Sequence, residues 1–504
     1  MAILFTFDFA SKQKYIFATN ALREIIGASE ILDKLNSQFK NEFGNDVKYS
    51  GGGNGLAVFQ TQEKVDQAIS FLQKNCSSYG LTFSYATLEA EKLTHESHEK
   101  LKSMLINSKK SGILPYFEPL LPHGAICQSC GRRNSTKNPH NTEERLCNIC
   151  RQKQENAKNA HADIIEAMQK LNPEIHGGPE KWFLMNTDEI KEYNSENKLY
   201  GIFAVVKMDG NSLGKKIRTF LEADPKNIEK FSDISNGINE ASKQAIANAC
   251  CHHFKEYIMK NKKMPFRPII IGGDDIAFLI DPSIAFEFTK TVSDEFTKNT
   301  KKLDTSSITI SAGIAFTHSS FPLSKSIELA EELLSNSKKY GVMVNKENPP
   351  AMIDYQVLYG SLNDNITEIR DREYTIYDGN NKITRLWQKP YLLSDDSNSN
   401  KIENITNLAS ASQKIGKILK RSKIKRLKDV FNHEQSSLQE LLMQLRTNVP
   451  ANESKTYSSR EQFDILIHWA ECNFKFYNEQ SKNEEKHEGI LDLVEVYDIL
   501  GGKE

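Results

Sequence analysis

The stretch RPIIIGGDDIAFLI, residues 267–280, sets Asp274 and Asp275 side by side inside the most apolar run of the chain. Adjacent carboxylates among isoleucines are costly unless water or a cation reaches them. The run reads as strand, glycine turn and strand, with the acids at the tip. Such a tip is either solvated or holds a metal. Alone, GGDD is an ordinary hairpin sequence, so the flanking elements must decide.

Upstream, IFAVVKMDGN, residues 202–211, is an apolar strand with Asp209 near its end. A long helical stretch separates it from the hairpin. Downstream come a helix, SIAFEFTKTVSDEFTKN, and a strand, SITISAGIAF. The same order occurs earlier in the chain. AILFTFDF, residues 2–9, is a strand carrying Asp8. The helical ATNALREIIGASEILDKLNSQF follows, then the hairpin VKYSGGGNGLAVFQ, the helix EKVDQAISFLQKN and the strand LTFSYATL. Strand, helix, hairpin, helix, strand is the ferredoxin-like plan, an α+β fold with helices on one face of an antiparallel sheet. The expected layout is a first palm over 1–100, a helical insert over 101–195, a second palm over 196–360 and a mainly helical C-terminal domain over 361–504.

The two copies differ at the turn. Gly51-Gly52-Gly53-Asn54 stands where the second copy has Gly272-Gly273-Asp274-Asp275. Glycines at the tip allow positive φ and close approach of a ligand to the backbone. Two aspartates after them suit a hard divalent cation. In a ferredoxin-like sheet the first strand lies beside the hairpin, so Asp209 is expected to face the pair. Three such carboxylates form a site for magnesium and nucleotide phosphates. The first copy is expected to bind a nucleotide but to hold metal poorly. No lysine helix like that of residues 330–341 is evident after it.

The chain has 504 residues and a formal net charge of −1, so no global basic footprint marks it for nucleic acid. No apolar run approaches the roughly 18–20 residues of a membrane helix. The N-terminus has no basic leader and reads as a strand. The expectation is a soluble, cytoplasmic protein with no membrane partner.

Eight cysteines include two CxxC pairs. Cys127, Cys130, Cys147 and Cys150 have the C-x₂-C-x₁₅₋₂₀-C-x₂-C spacing of tetrahedral zinc, and four thiolates close the site. The zinc is therefore expected to be structural, and its loss to leave the palm chemistry untouched. His140 lies in the gap and reads as a loop residue rather than a ligand. The other cysteines (Cys76, Cys250, Cys251, Cys472) follow no disulfide framework. Farther on, KIGKILKRSKIKRLKD, residues 414–429, is basic and amphipathic. It is either an RNA- or DNA-phosphate contact or a solvated helix face packing its Ile and Leu inward. QFDILIHWAECNFKFY and GILDLVEVYDILG suggest a small helical bundle.

SGGGNG, VVKMDGNSLG, IGGDDIAFLI, ISAGIAF and AEELLSNSKKYG, with the CxxC…CxxC segment between them, resemble the polymerase-like large subunit of type III CRISPR effector complexes. The resemblance covers most of the chain and is strongest over 200–345. It implies two palms, a zinc-bearing helical domain and a helical C-terminal domain. It also implies that the GGDD palm joins ATP into cyclic oligoadenylate in antiviral defence, while the other palm binds an ATP without metal acids. On that basis Asp209, Asp274 and Asp275 are the expected catalytic acids. Asp209, Gly210, Asp274 and Asp275 are the expected Mg²⁺ or Mn²⁺ positions. Gly272, Gly273, Ser50, Gly51, Gly52, Gly53 and Asn54 are expected at the nucleotides.

Three departures stand out. No His-Asp pair occurs, so a His-Asp nuclease is not expected. The acid-rich motif of the first strand is here Asp209-Gly210-Asn211, with an amide as its third member. The chain is also short for that family. It is expected to act alone, with copies of itself, or with effector subunits, guide RNA and target RNA; the residues leave these open.

The second palm also resembles, more distantly, the GGDEF nucleotide cyclases. Ala330, Glu331, Lys338 and Gly341 keep the spacing of their lysine helix. Lys338 is then expected to meet a triphosphate as a point charge; the alternative is a solvated cation near a helix end. Two rivals to oligoadenylate synthesis stay open. One is a GGDEF-type cyclic dinucleotide synthase, although those enzymes pair palms from separate chains. The other is a catalytically silent RNA-binding scaffold, against which the intact acids argue.

Overall fold

The computed structural model describes residues 2–110, 124–136, 144–190, 201–223, 230–303, 308–358, 365–377, 383–394, 403–416, 486–487 and 489–500. His140, most of the basic stretch 414–429, the segment QFDILIHWAECNFKFY and Cys472 lie outside the described residues.

The first palm is built from Ala2–Phe9 (β1), Val47–Gly51 (β2), Asn54–Phe59 (β3) and Phe83–Ala90 (β4), in sheet order β2-β3-β1-β4. All its pairings are antiparallel. Strand side chains alternate faces, and β1 uses both. Phe5, Phe7 and Phe9 pack against the helices Leu22–Phe43 and Gln62–Ser78. Leu4 points to the other face, where the helix His95–Lys110 brings Leu101 and Leu105. The first palm is thus covered on both sides.

The second palm repeats the plan with Ile202–Gly210 (β5), Phe266–Gly272 (β6), Asp275–Ile280 (β7) and Ile310–His318 (β8). Its order β8-β5-β7-β6 matches β4-β1-β3-β2. Ala204, Val206 and Met208 face the helices Phe231–His253 and Ala285–Thr300. Phe203 and Val205 face the other way, where the helix Leu323–Val344 crosses β8 and β5. A strand the sequence reading did not foresee, Met352–Val357 (β9), adds parallel to β8, and Tyr391–Leu392 extends the edge.

The two palms share one apolar core. Ile25, Leu32 and Leu35 of the helix Leu22–Phe43 lie in the same cluster as Val205, Ile269 and Leu279 of the second sheet. Between the palms in sequence sits the four-cysteine segment, whose helix Asn148–Asn156 packs on Leu22–Phe43.

The C-terminal part contributes the helices Ile366–Glu373, Ile405–Gly416 and Ile490–Leu500, together with a small three-stranded sheet that sequence reading did not anticipate. It is tied down by a buried polar knot. Lys389 bonds Glu495 at 2.6 Å and Asp492 at 3.5 Å, and all three are essentially inaccessible. Asp492 also accepts from the Gln388 amide and the Tyr391 hydroxyl. Among the described residues no helix is long and apolar enough to cross a membrane.

Candidate active site

β5 ends at Asp209-Gly210, and the register Met208↔Ile276 and Gly272↔Asp275 brings that end beside the hairpin tip. Gly273 takes a φ of 65°, the conformation the tip requires. The helix Phe231–His253 holds the turn from behind: the Asn239 side chain accepts from the Gly273 amide, and the Ser242 hydroxyl donates to its carbonyl. Sequence reading missed both residues, because helical periodicity says nothing about which polar residue meets a turn.

Asp209 and Asp274 meet closely. Burial, together with Asp209 alongside, pushes the Asp274 carboxyl up to about 7. Gly210 is needed for this approach, since a Cβ there would lie 2.6 Å from Asp274 Oδ2. Asp275 is turned elsewhere, to the Lys207 ammonium at 2.5 Å. Lys207 is buried and also reaches Glu331 at 3.6 Å. Burial works against its charge, but Asp275, Glu331 and Asp209 outweigh it and raise its pKa above the usual lysine value. Lys207 stands two residues before Asp209 on the same strand face, a signal available in the sequence but not read. Lys338 bonds Asp209 at 2.5 Å, so its partner here is a carboxylate. The Asn211 amide is buried and bridges Thr309 and the Pro350 carbonyl, away from the acids.

The first palm mirrors this with altered charges. Asp8 occupies the place of Asp209 and faces Asn54 across the sheet. Gly52 and Gly53 take φ of 58° and 78°. Asp8 bonds Lys12 at 2.9 Å and also meets Lys109, at the end of His95–Lys110. That helix packs on β4 and β1 as Leu323–Val344 packs on β8 and β5. The sequence reading found no lysine helix like that of residues 330–341 here, and it did not foresee this one. The helix is there; its sequence simply lacks the Ala-Glu…Lys-x-x-Gly pattern of residues 330–341.

A cleft of about 540 Å³ runs between the palms, walled by Lys12 and Gly52 on one side and by Gly272, Asp275 and Lys207 on the other. Of the expected first-palm residues, Gly52 lines it. The Ser50 hydroxyl donates back to the Asn36 carbonyl at 2.9 Å, and Gly51, Gly53 and Asn54 are not in its lining. Arg132, from the cysteine segment, reaches the same cleft.

The four cysteine sulfurs lie within 4.8 Å of one another, with Cys130 and Cys147 at 3.9 Å. Four sulfurs each about 2.3 Å from a zinc ion would stand apart by about this much, so the donor set fits. Among the described residues, no set of three carboxylates converges so tightly. At the turn, Asp209 and Asp274, two partly exposed carboxyls in close contact, fit a divalent cation, with Asp275 held off by Lys207.

Two palms of matching strand order around a shared cleft, one carrying acids at its glycine turn, define a two-palm α+β protein in class. Residues 202–346 match the family model described as Cas10/Cmr2, second palm domain. The chain is also similar to the CRISPR system single-strand-specific deoxyribonuclease Cas10/Csm1 (subtype III-A) of Methanocaldococcus jannaschii. They are 28% identical over 147 residues, which is 28% of this chain and 18% of that protein. Among solved structures, a Csm1-Csm4 cassette in complex with cA3 matches with a TM-score of 0.53 at 13% identity, covering 99% of this chain and 69% of that one. The same cassette with cA4 matches with a TM-score of 0.42 at 14% identity, over 68% of this chain and 53% of that one. The likeness to the Cas10/Cmr2 second palm covers residues 202–346, and the likeness to Cas10/Csm1 extends over 147 residues. Its alignment spans less than a fifth of that relative's length.

Proposed function

We propose that this chain is a nucleotidyltransferase that joins ATP into cyclic oligoadenylate, working in type III CRISPR-type antiviral defence. The observation that carries the reading is the cleft between the palms, with Gly272 and Asp275 of the acidic turn on one wall and Gly52 of the glycine turn on the other; Asp209 and Asp274 are not in its lining. Two nucleotides placed in it would meet between the two turns. The 3′-hydroxyl of one attacks the α-phosphate of the other; the new phosphodiester forms and pyrophosphate leaves. Asp209 and Asp274 would hold Mg²⁺ or Mn²⁺, with Asp275 joining them on leaving Lys207. The bound cation supplies charge stabilisation at the phosphate and a lowered hydroxyl pKa. Asp274, with its raised affinity for protons, is placed to yield its proton when a cation arrives. Gly272 and Gly273 leave room for the phosphates, and Lys338 is placed to exchange Asp209 for a triphosphate oxygen.

Both palms lie in one chain and wall one cleft, which favours this reading over a GGDEF-type synthase. The cassette relative, crystallised with Csm4 and cA3, supports a partner subunit and an oligoadenylate product. The test is incubation with each NTP and Mg²⁺ or Mn²⁺, with and without effector subunits and target RNA, followed by mass analysis. Cyclic oligoadenylate is expected from ATP, and none from Asp274→Asn with Asp275→Asn. Wild-type turnover by that double variant would place the chemistry elsewhere.

A further inference from the structure

One face of the helix Phe231–His253 touches both turns. Ser235, Asn239 and Ser242 stand four and three residues apart on it, the spacing that sets side chains above one another. Asn239 and Ser242 hold the N–H and the carbonyl of Gly273 at the acidic turn. Ser235, one turn earlier on the helix, reaches the first palm, where its hydroxyl donates to that of Tyr49. Tyr49 passes the bond on: its own hydroxyl donates to the Gly51 carbonyl at 2.9 Å. A chain of hydrogen bonds thus runs from the glycine turn to the helix that carries the acidic one. The same helix packs on β2 and on β6, the edge strands that lead into the two turns.

Tyr49 has no equivalent in the second palm. Counting back from the pairs Gly51↔Asn54 and Gly272↔Asp275, Tyr49 on β2 corresponds to Ile270 on β6. Both strands shift register just before this residue, between Val47 and Tyr49 and between Pro268 and Ile270. Such a bulge bends a strand and re-aims the side chain beside it. The second palm puts an apolar side chain there, and Ile270 lines the cleft. The first palm puts a phenol there, whose oxygen can accept one bond while donating another. Burial pushes that phenol up to about 12 against the pull of the Ser235 bond, and Asp274, Asp33 and Asp8 add to the rise. Acids of both palms therefore lie near its hydroxyl, which keeps the proton it donates at any working pH.

We propose that Tyr49 and Ser235 are positioning residues for synthesis: with Asn239 and Ser242 they form a spacer that fixes the distance between the two turns. The inference rests on reading the cleft as the place where two nucleotides react, and it adds what holds the two walls in register. Neither side chain needs to touch a nucleotide. Their effect passes through the turns, so it falls on the rate at which a bound pair reacts rather than on the binding of either nucleotide.

The experiment is hydrogen-exchange mass spectrometry on the full chain, paired with steady-state synthesis from ATP and Mn²⁺. Tyr49→Phe is expected to speed exchange about fivefold over residues 47–54, as loss of one ordinary hydrogen bond does, and to a similar degree over 272–276 in the other palm. Ser235→Ala should do the same, and should add nothing to Tyr49→Phe. Ser235→Thr, which keeps the hydroxyl, should exchange as the wild type does. In synthesis, kcat should fall about tenfold with the KM for ATP held within about twofold. Ser235→Ala is a small change at a partly exposed residue and decides the matter if Tyr49→Phe does not fold. Exchange left unchanged or sped only in the first palm, additive effects of the two variants, or a raised KM with kcat kept overturns the inference while leaving the cleft a synthetic site. Coupled exchange in the variants, with no product from the wild type under any condition, overturns the functional reading and leaves the spacer standing.

Discussion

Lys109 stands to Asp8 as Lys338 stands to Asp209. Each lysine lies near the end of a helix that crosses the sheet, and each reaches the aspartate at the end of the central strand. The pairs span 101 and 129 residues of chain. The duplication therefore preserved a strand acid and a helix cation, and the copies diverged at the turn between them.

Restoring the acids to the first palm should not restore a metal site. Gly53→Asp with Asn54→Asp asks an L-residue to hold a φ of 78° and to displace Lys12. The expected cost is about 1–2 kcal/mol of stability, seen as a lower melting temperature, with no added product. Unchanged melting together with faster synthesis would show that the turn accepts acids freely.

Gly210 has a sharper role. Gly210→Ala keeps a strand-compatible backbone but drives a methyl into Asp274. The circular dichroism spectrum should stay native while oligoadenylate synthesis falls about 100-fold, the usual consequence of ångström-scale misplacement. Wild-type rates would mean that Asp274 need not sit against Asp209.

The cysteine segment should matter beyond its own stability. Ser129 donates to Glu24 at 2.5 Å, which anchors the segment to the helix Leu22–Phe43 beside the cleft. Zinc measured by elemental analysis should be close to one ion per chain. Cys147→Ser should lower the melting temperature by several degrees, as loss of a structural metal does. It should also weaken ATP binding, since Arg132 moves with the loop. Melting and binding both unchanged would sever the segment from the cleft.

A pH effect is expected at the helix that carries Lys109. Burial, reinforced by Lys102, pushes His98 down to about 4. Unfolded, it titrates near 6.5. Above that pH both states hold it neutral and the fold is undisturbed. As pH falls from 6.5 toward 4, the unfolded chain takes up the proton first, so stability declines by up to about 3 kcal/mol. Denaturant melts from pH 7.5 to 4.5 should show this slope, and His98→Leu should flatten it. Parallel slopes for the two proteins would remove the assignment.

Much of the fold was legible because two strand–turn–strand signals recur with an aspartate before each, and period-two alternation marks strands well. The cysteine quartet was legible because its spacing is local. Lys207 sits in a run of Val, Ala and Met, where burial is expected but an ion partner 68 residues away is not visible. Lys109 ends a polar helix whose pattern gives no hint of Asp8. Arg132 follows the first CxxC pair, and only tertiary packing turns it toward the cleft. Asn211 stood out in the sequence only as an amide in an acid's place; that its amide goes to Thr309 and Pro350 is set by the fold. Side chains whose partners are distant in sequence leave no periodic trace.

The knot of Lys389, Asp492 and Glu495 sets an order of events during synthesis on the ribosome. Lys389 lies beside the edge strand Tyr391–Leu392, yet its two counter-ions arrive about a hundred residues later. Until they emerge, the ammonium has no acid there to sit against, and burying it alone would be costly. The outer edge of the second palm therefore stays open through the making of the C-terminal part. It closes only when the helix Ile490–Leu500 arrives with both counter-ions, so the edge of the sheet that holds the acidic turn waits on a segment about a hundred residues further along the chain.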